Sequence, residues 1–168
     1  TKALKRRIAS YRSALLKEKK RFGHVNDGDG MRHLLFSLYF VLNDIEETKD
    51  YIQWYDEEFS DDMGEPIQKL CWALSLRRMN NEKEAKKLLA DTMLTNLYII
   101  PKVLDRNIER YDVWHPSSDQ SPGYVDYLPK EVIAAITEEE KTWISQQYDS
   151  SEFRRIRQRY IEIYHQLK

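Results

Sequence analysis

Residues 31–60, MRHLLFSLYFVLNDIEETKDYIQWYDEEFS, lie over residues 68–97, QKLCWALSLRRMNNEKEAKKLLADTMLTNL, at an offset of 37. Leu34 falls on Cys71, Leu35 on Trp72, Leu42 on Met79, Asn43-Asp44 on Asn80-Asn81, Thr48 on Ala85, Tyr51 on Leu88 and Ile52 on Leu89. Each half reads as helix, tight turn, capping signature, helix. Residues 31–43 are apolar on most sides, which predicts a buried helix. Asp44 with Glu47 has the capping spacing for a helix over 45–59. Its apolar face is Ile45, Tyr51, Ile52, Tyr55 and Phe59. Asp61-Asp62-Met63-Gly64 is a turn, and Pro66 stands where the first turn of a helix tolerates proline. Helix 66–79 follows, and Asn81 with Glu84 opens helix 82–95. A repeat of this length and anatomy predicts an array of helical hairpins. One hairpin cannot bury both of its apolar faces, so its neighbours must cover them.

These residues carry a family resemblance: both units resemble tetratricopeptide (TPR) repeats. In the second unit Trp72 and Ala73 occupy the large-then-small pair of the first helix, and Leu76 the large position after it. Asn80 stands at the turn glycine, Ala85 at the small residue of the second helix and Leu89 at its large apolar site. In the first unit the matches are Leu35, Tyr39, Asn43, Thr48 and Ile52. Three features depart from the motif. Phe36 stands where it has a small residue, Asn replaces Gly at both turns, and the closing proline is missing from both units. A general stack of helical hairpins is the other reading of the same pattern. The whole chain is also similar to small uncharacterised bacterial TPR-like proteins. The resemblance implies a groove lined by first helices, at Arg32, Phe36, Tyr39, Lys69, Ala73 and Leu76, that receives a peptide or helix from another protein.

The flanks extend the helical reading. Leu4, Ile8, Tyr11, Leu15 and Phe22 form one stripe over 2–22, and Gly23 is placed to end that helix. Residues 23–30 hold three of the five glycines and read as a loop. Residues 97–127, punctuated by Pro101, Pro116 and Pro122, read as irregular, with one helical turn near Lys102–Arg106. Pro129 opens a helix over 130–136, and Thr137 with Glu140 caps another over 138–148. Ser150 or Ser151 caps the last, whose stripe is Phe153, Ile156, Tyr160, Ile163 and Leu167. The expected fold is all-α, with antiparallel helical hairpins stacked as a short TPR-like array. One domain would span 1–168, comprising a capping helix (2–22), two hairpins (31–97), an irregular segment (98–128) and C-terminal helices (129–168).

Composition agrees. The 168 residues are 41% hydrophobic, 33% charged and 12% aromatic, with only five Gly and five Pro. That aromatic content argues against disorder, and so few turn formers argue against a turn-rich β fold. The single Cys excludes an internal disulfide and a Cys-based zinc site. No apolar run reaches membrane-spanning length, and no apolar core follows the basic start, so neither a membrane helix nor a signal peptide is expected. A cytoplasmic protein is the expectation. Charge is segregated. Residues 1–22 carry nine Lys and Arg against one Glu, while residues 44–65 carry ten Asp and Glu against one Lys. Such a chain is expected to complement itself, a second copy or a partner.

Candidate chemistry is sparse. His24, Asp27, Asp29 and His33 cluster around the Gly-rich loop, but an EF-hand frame begun at Asp27 puts Met31 and Leu38 at ligand positions. A turn that starts a helix explains them better, so no metal and no cofactor is expected. Cys71, inside an apolar helix, reads as an inert core thiol. No nucleophile elbow, metalloprotease motif, phosphate loop or dinucleotide fingerprint occurs. Tyr111-Asp112-Val113-Trp114-His115-Pro116 is the most suggestive loop. Trp114 and His115 read either as a partner contact or as a plug onto the helices. The basic first helix lacks interleaved aromatics other than Tyr11 and the chain is slightly acidic overall, which argues against nucleic acid. The expected function is non-enzymatic binding of another protein. Alternatives are an immunity, antitoxin or chaperone-like protein that uses its acidic segment against a basic partner, and a homo-oligomeric, at its simplest homodimeric, scaffold.

Overall fold

The computed structural model describes residues Thr1–Lys168 and contains helices and no strand. The four helices of the repeat are α2 (Met31–Leu42), α3 (Ile45–Glu58), α4 (Pro66–Arg78) and α5 (Glu82–Thr95), preceded by α1 (Lys2–Phe22). After them come α6 (Ile99–Val103), two 3-10 turns (Ser118–Gln120 and Pro122–Tyr127), α7 (Lys130–Ala135), α8 (Glu138–Tyr148) and α9 (Ser151–Gln166). No helix is long and apolar enough to cross a membrane. The chain divides into two compact units, Thr1–Gly64 and Glu65–Lys168.

In the first unit α2 packs against both α1 and α3. Ile8 and Leu15 of α1 are buried, as are Leu35, Phe36 and Tyr39 of α2 and Tyr51 and Tyr55 of α3. The rings interlock. Phe36 meets Tyr51 and Tyr55 edge-on, at 5.3 and 4.9 Å, and Tyr39 stacks on Tyr51 at 5.0 Å. Arg12 turns inward, donating to the Tyr39 hydroxyl at 2.9 Å with its guanidinium 5.2 Å from the Tyr51 ring centre. The loop after α1 is organised by carboxylates. Glu18 accepts the backbone N–H groups of Asn26 and Asp27 at 2.7 and 3.0 Å. Asp27, buried, accepts those of Met31 and Arg32, both at 2.9 Å, and so caps α2. This is the helix-starting turn expected there.

In the second unit α4 and α5 form the most extensive helix pair, with Lys69 bound to Asp91 and Thr95, both at 3.0 Å. Capping largely follows the sequence. Thr137 and Glu140 form the reciprocal box, and the Ser150 hydroxyl accepts the Phe153 N–H. Asn81 departs from it, since its side chain makes no cap bond. Glu65 and Gln68 form a capping box at α4 that the sequence reading did not single out.

The segment read as irregular needs correcting at its start. The helical turn lies at Ile99–Val103 rather than 102–106, and Leu97, Tyr98, Ile99 and Ile100 are all buried. Burying side chains of this size contributes about 1.5–3 kcal/mol each. Asn96 then anchors the next stretch, donating to the carbonyls of Asp119 and Ser121 at 2.8 and 3.0 Å.

Candidate functional site

Two clusters concentrate functional-group chemistry, one in each unit. In the first, Asp62 is the hub. One carboxylate oxygen accepts from Arg32 at 3.0 Å, and the other pairs with His33 Nε2 at 2.5 Å and accepts from the Tyr55 hydroxyl. Arg32 reaches back to Asp27 at 2.9 Å. Burial alone would raise the Asp62 carboxyl. The hydrogen bonds from Arg32, Tyr55 and His33 outweigh it and hold the group well below the usual carboxylate range. An open depression of about 270 Å³, bounded by Val25, Asn26, Phe59 and Asp61, adjoins the cluster. Arg32 and Asp62 themselves line that space, paired with each other at 3.0 Å. The arrangement pins the turn after α3 to the start of α2.

The loop residues that suggested a metal separate in space. Asp27 and His33 belong to the capping and Asp62 networks. His24 is exposed, 3.1 Å from the Phe22 carbonyl, and Asp29 is exposed. No three His, Cys, Asp or Glu side chains converge in a metal-holding group. Cys71 is fully buried.

The second cluster is built by residues 111–116 crossing α9. The Trp114 N–H donates to the Tyr164 carbonyl at 3.3 Å, and its indole stacks on the Tyr164 ring at 6.3 Å. Tyr164 stacks in turn on Tyr160 at 4.4 Å. Burial, then the adjoining Tyr164, push the Tyr160 hydroxyl up to about 12. His115 lies 3.1 Å from the Tyr98 hydroxyl, and burial lowers its pKa. On the far side His165 Nδ1 is 2.6 Å from the Asp112 carbonyl, and Lys168 pairs with the Asp112 carboxylate. Of the side chains on this loop and helix, Trp114 is 48%, Ile163 43% and Leu167 59% exposed. Trp114 fastens the loop to α9 and still shows about half its surface.

None of the family models, curated proteins or solved structures compared with the chain matches it.

The proposed groove residues divide sharply. Phe36, Tyr39 and Ala73 are buried, so their side chains have no surface to offer a partner. Phe36 and Tyr39 are held in the aromatic core of the first unit. Arg32 is engaged with Asp27 and Asp62, and Lys69 with Asp91 and Thr95. Leu76 is half-buried. Trp114 carries the largest exposed apolar surface of the set. Tyr164, its platform, was missed, although it sits one residue beyond Ile163 in the stripe that marked the last helix.

Proposed function

We propose that this chain is a non-enzymatic protein-interaction module of the TPR-like kind, receiving a helix or peptide of another protein. The observation that supports it most directly is the half-exposed Trp114, stacked on Tyr164 of a helix that also exposes Ile163 and Leu167. Aromatic side chains already ordered before binding present large apolar area at little entropic cost, the usual character of a binding hot spot. The TPR-like kinship of the two hairpins belongs to the same proposal. It is supported by the equivalent turns, where Asn43 and Asn80 both take the left-handed conformation, at φ 58° and 61°.

A specific observation favours a second version. Glu46, Glu47, Asp50 and Glu57 are exposed on α3, a face suited to neutralising a basic partner as an immunity or antitoxin protein does. One experiment separates the two. The purified chain, Trp114→Ala and a Glu46→Gln/Glu47→Gln/Asp50→Asn variant are each used to capture partners quantitatively from the native cell, and hits are reconstituted from pure components. Loss with Trp114→Ala supports the aromatic surface, and loss with the triple variant supports the acidic one. A reconstituted partner that holds equally to all three removes both.

A further inference from the structure

We propose that the solvent face of α1 binds the phosphodiester backbone of duplex nucleic acid, independently of sequence. The net charge of −1 conceals how cleanly this face is sorted. Helical spacing places Lys2, Arg6, Ser13, Lys17 and Lys20 opposite the buried Ile8 and Leu15, with Lys5 and Arg21 at the margins. All seven are exposed.

Internal contacts remove from this face the groups that would weaken it. Glu18, the only acidic residue among the first 22, is drawn toward the loop by the N–H groups of Asn26 and Asp27. The cations that serve the fold lie elsewhere on the helix. Arg12 is held by Tyr39 and Tyr51, and Lys19 pairs with Glu58 at 2.5 Å. The side chains of Lys2, Lys5, Arg6, Lys17 and Lys20 have no ion-pair partner in the chain. Two cationic clusters, at residues 2–6 and 17–21, bracket exposed Ala9, Ser10 and Ser13, whose short side chains let a partner approach the helix closely.

The kind of partner follows from energetics. Single exposed ion pairs contribute only about 0–1 kcal/mol each, so scattered carboxylates on a protein gain less here than a regular line of charge does. A duplex carries one charge per about 1.7 Å, and releasing its condensed counterions drives binding. The roughly 27 Å from Lys2 to Lys20 matches a length of duplex that carries about sixteen phosphates over both strands, those on the near side facing the helix. A membrane surface fits less well. Leu16, 46% exposed, is the one apolar side chain larger than Ala on this face, and an interfacial helix needs a whole apolar side to insert.

The test is fluorescence anisotropy of a labelled DNA duplex of about 20 base pairs with the full chain, from about 25 to about 200 mM NaCl. Micromolar binding is expected at low salt, equal for a scrambled sequence, with a log–log salt slope of about −3 to −5. Lys17→Gln/Lys20→Gln/Arg21→Gln should weaken it about tenfold or more and flatten the slope by about 2–3. An Arg154→Gln/Arg155→Gln/Arg159→Gln control on α9 should change affinity less than about twofold. Unchanged circular dichroism shows that the variants fold. Absence of saturable binding at the lowest salt overturns the proposal, as does an α1 variant that binds like the unaltered chain. Phosphatidylserine vesicles bound through these residues while the duplex is not would overturn it in favour of a membrane surface.

Discussion

Arg78 donates through Nε and Nη2 to the two carboxylate oxygens of Glu140, each at 2.9 Å, and Glu140 is buried. A fork of this kind ties the end of α4 to the start of α8 with both charges matched. Burial raises the Glu140 pKa, but the bonds from Arg78 and from the Thr137 N–H lower it further, leaving it below its ordinary 4.5. Arg78→Met leaves an unmatched buried carboxylate and should cost about 3–5 kcal/mol in urea unfolding at pH 7. Arg78→Met/Glu140→Leu should recover most of that loss. A double variant as unstable as the single one would show that the pair's partners, rather than its charge balance, set the energy.

Asp62 should make the first unit acid-sensitive. Its folded pKa is depressed, so its stabilisation is present above the ordinary value of 3.8 and is lost as pH falls through the folded value. Asp62→Asn leaves Arg32 and His33 short of an acceptor and should cost about 2–4 kcal/mol at pH 7. It should also flatten the decline in stability between pH 5 and pH 2 seen in the unaltered chain, followed by urea titrations at several pH values. An equally steep decline in Asp62→Asn would place the sensitivity in other carboxylates.

Asn43 and Asn80 hold left-handed backbone where a Cβ beyond the Asn type is strained. Replacement of either by Ala should cost about 1–2 kcal/mol, and by Gly less than about 0.5 kcal/mol. Thermal unfolding of the four variants checks this. Equal losses for Ala and Gly would assign the cost to the lost side chain and not to the backbone.

These turns were legible because the constraint is local. The same Asn recurs 37 residues on and meets the same backbone conformation. The main helix ends were legible for a similar reason, since periodicity and caps act within a few residues. Leu97–Ile100 was not, because Pro101 and the absence of a long period suggested irregular chain, while tertiary burial decides the matter. The Asp62 cluster was half visible. Asp27 and His33 stood out by type and spacing, but their use depends on a residue 29 positions beyond His33 that only the return of α3 brings near. Phe36, Tyr39 and Ala73 are buried where the repeat motif implies a groove, because such a motif marks helix faces without saying which of them the chain itself covers.

His115 offers a pH-dependent handle on the aromatic surface. Its pKa is lowered by burial, so the folded state favours the neutral ring 3.1 Å from the Tyr98 hydroxyl. A histidine lowered in this way stabilises the fold above its ordinary 6.5, and that contribution disappears as pH falls through the folded value. The 111–116 segment should therefore loosen as pH falls below the ordinary 6.5, releasing the Trp114 stack on Tyr164. Amide hydrogen exchange of residues 111–116 at pH 7.5 and 5.5, corrected for intrinsic rates, should show protection falling at the lower pH. His115→Gln should abolish the difference while leaving protection of α4 and α5 unchanged. Protection that falls equally in His115→Gln would show that His115 does not hold this segment.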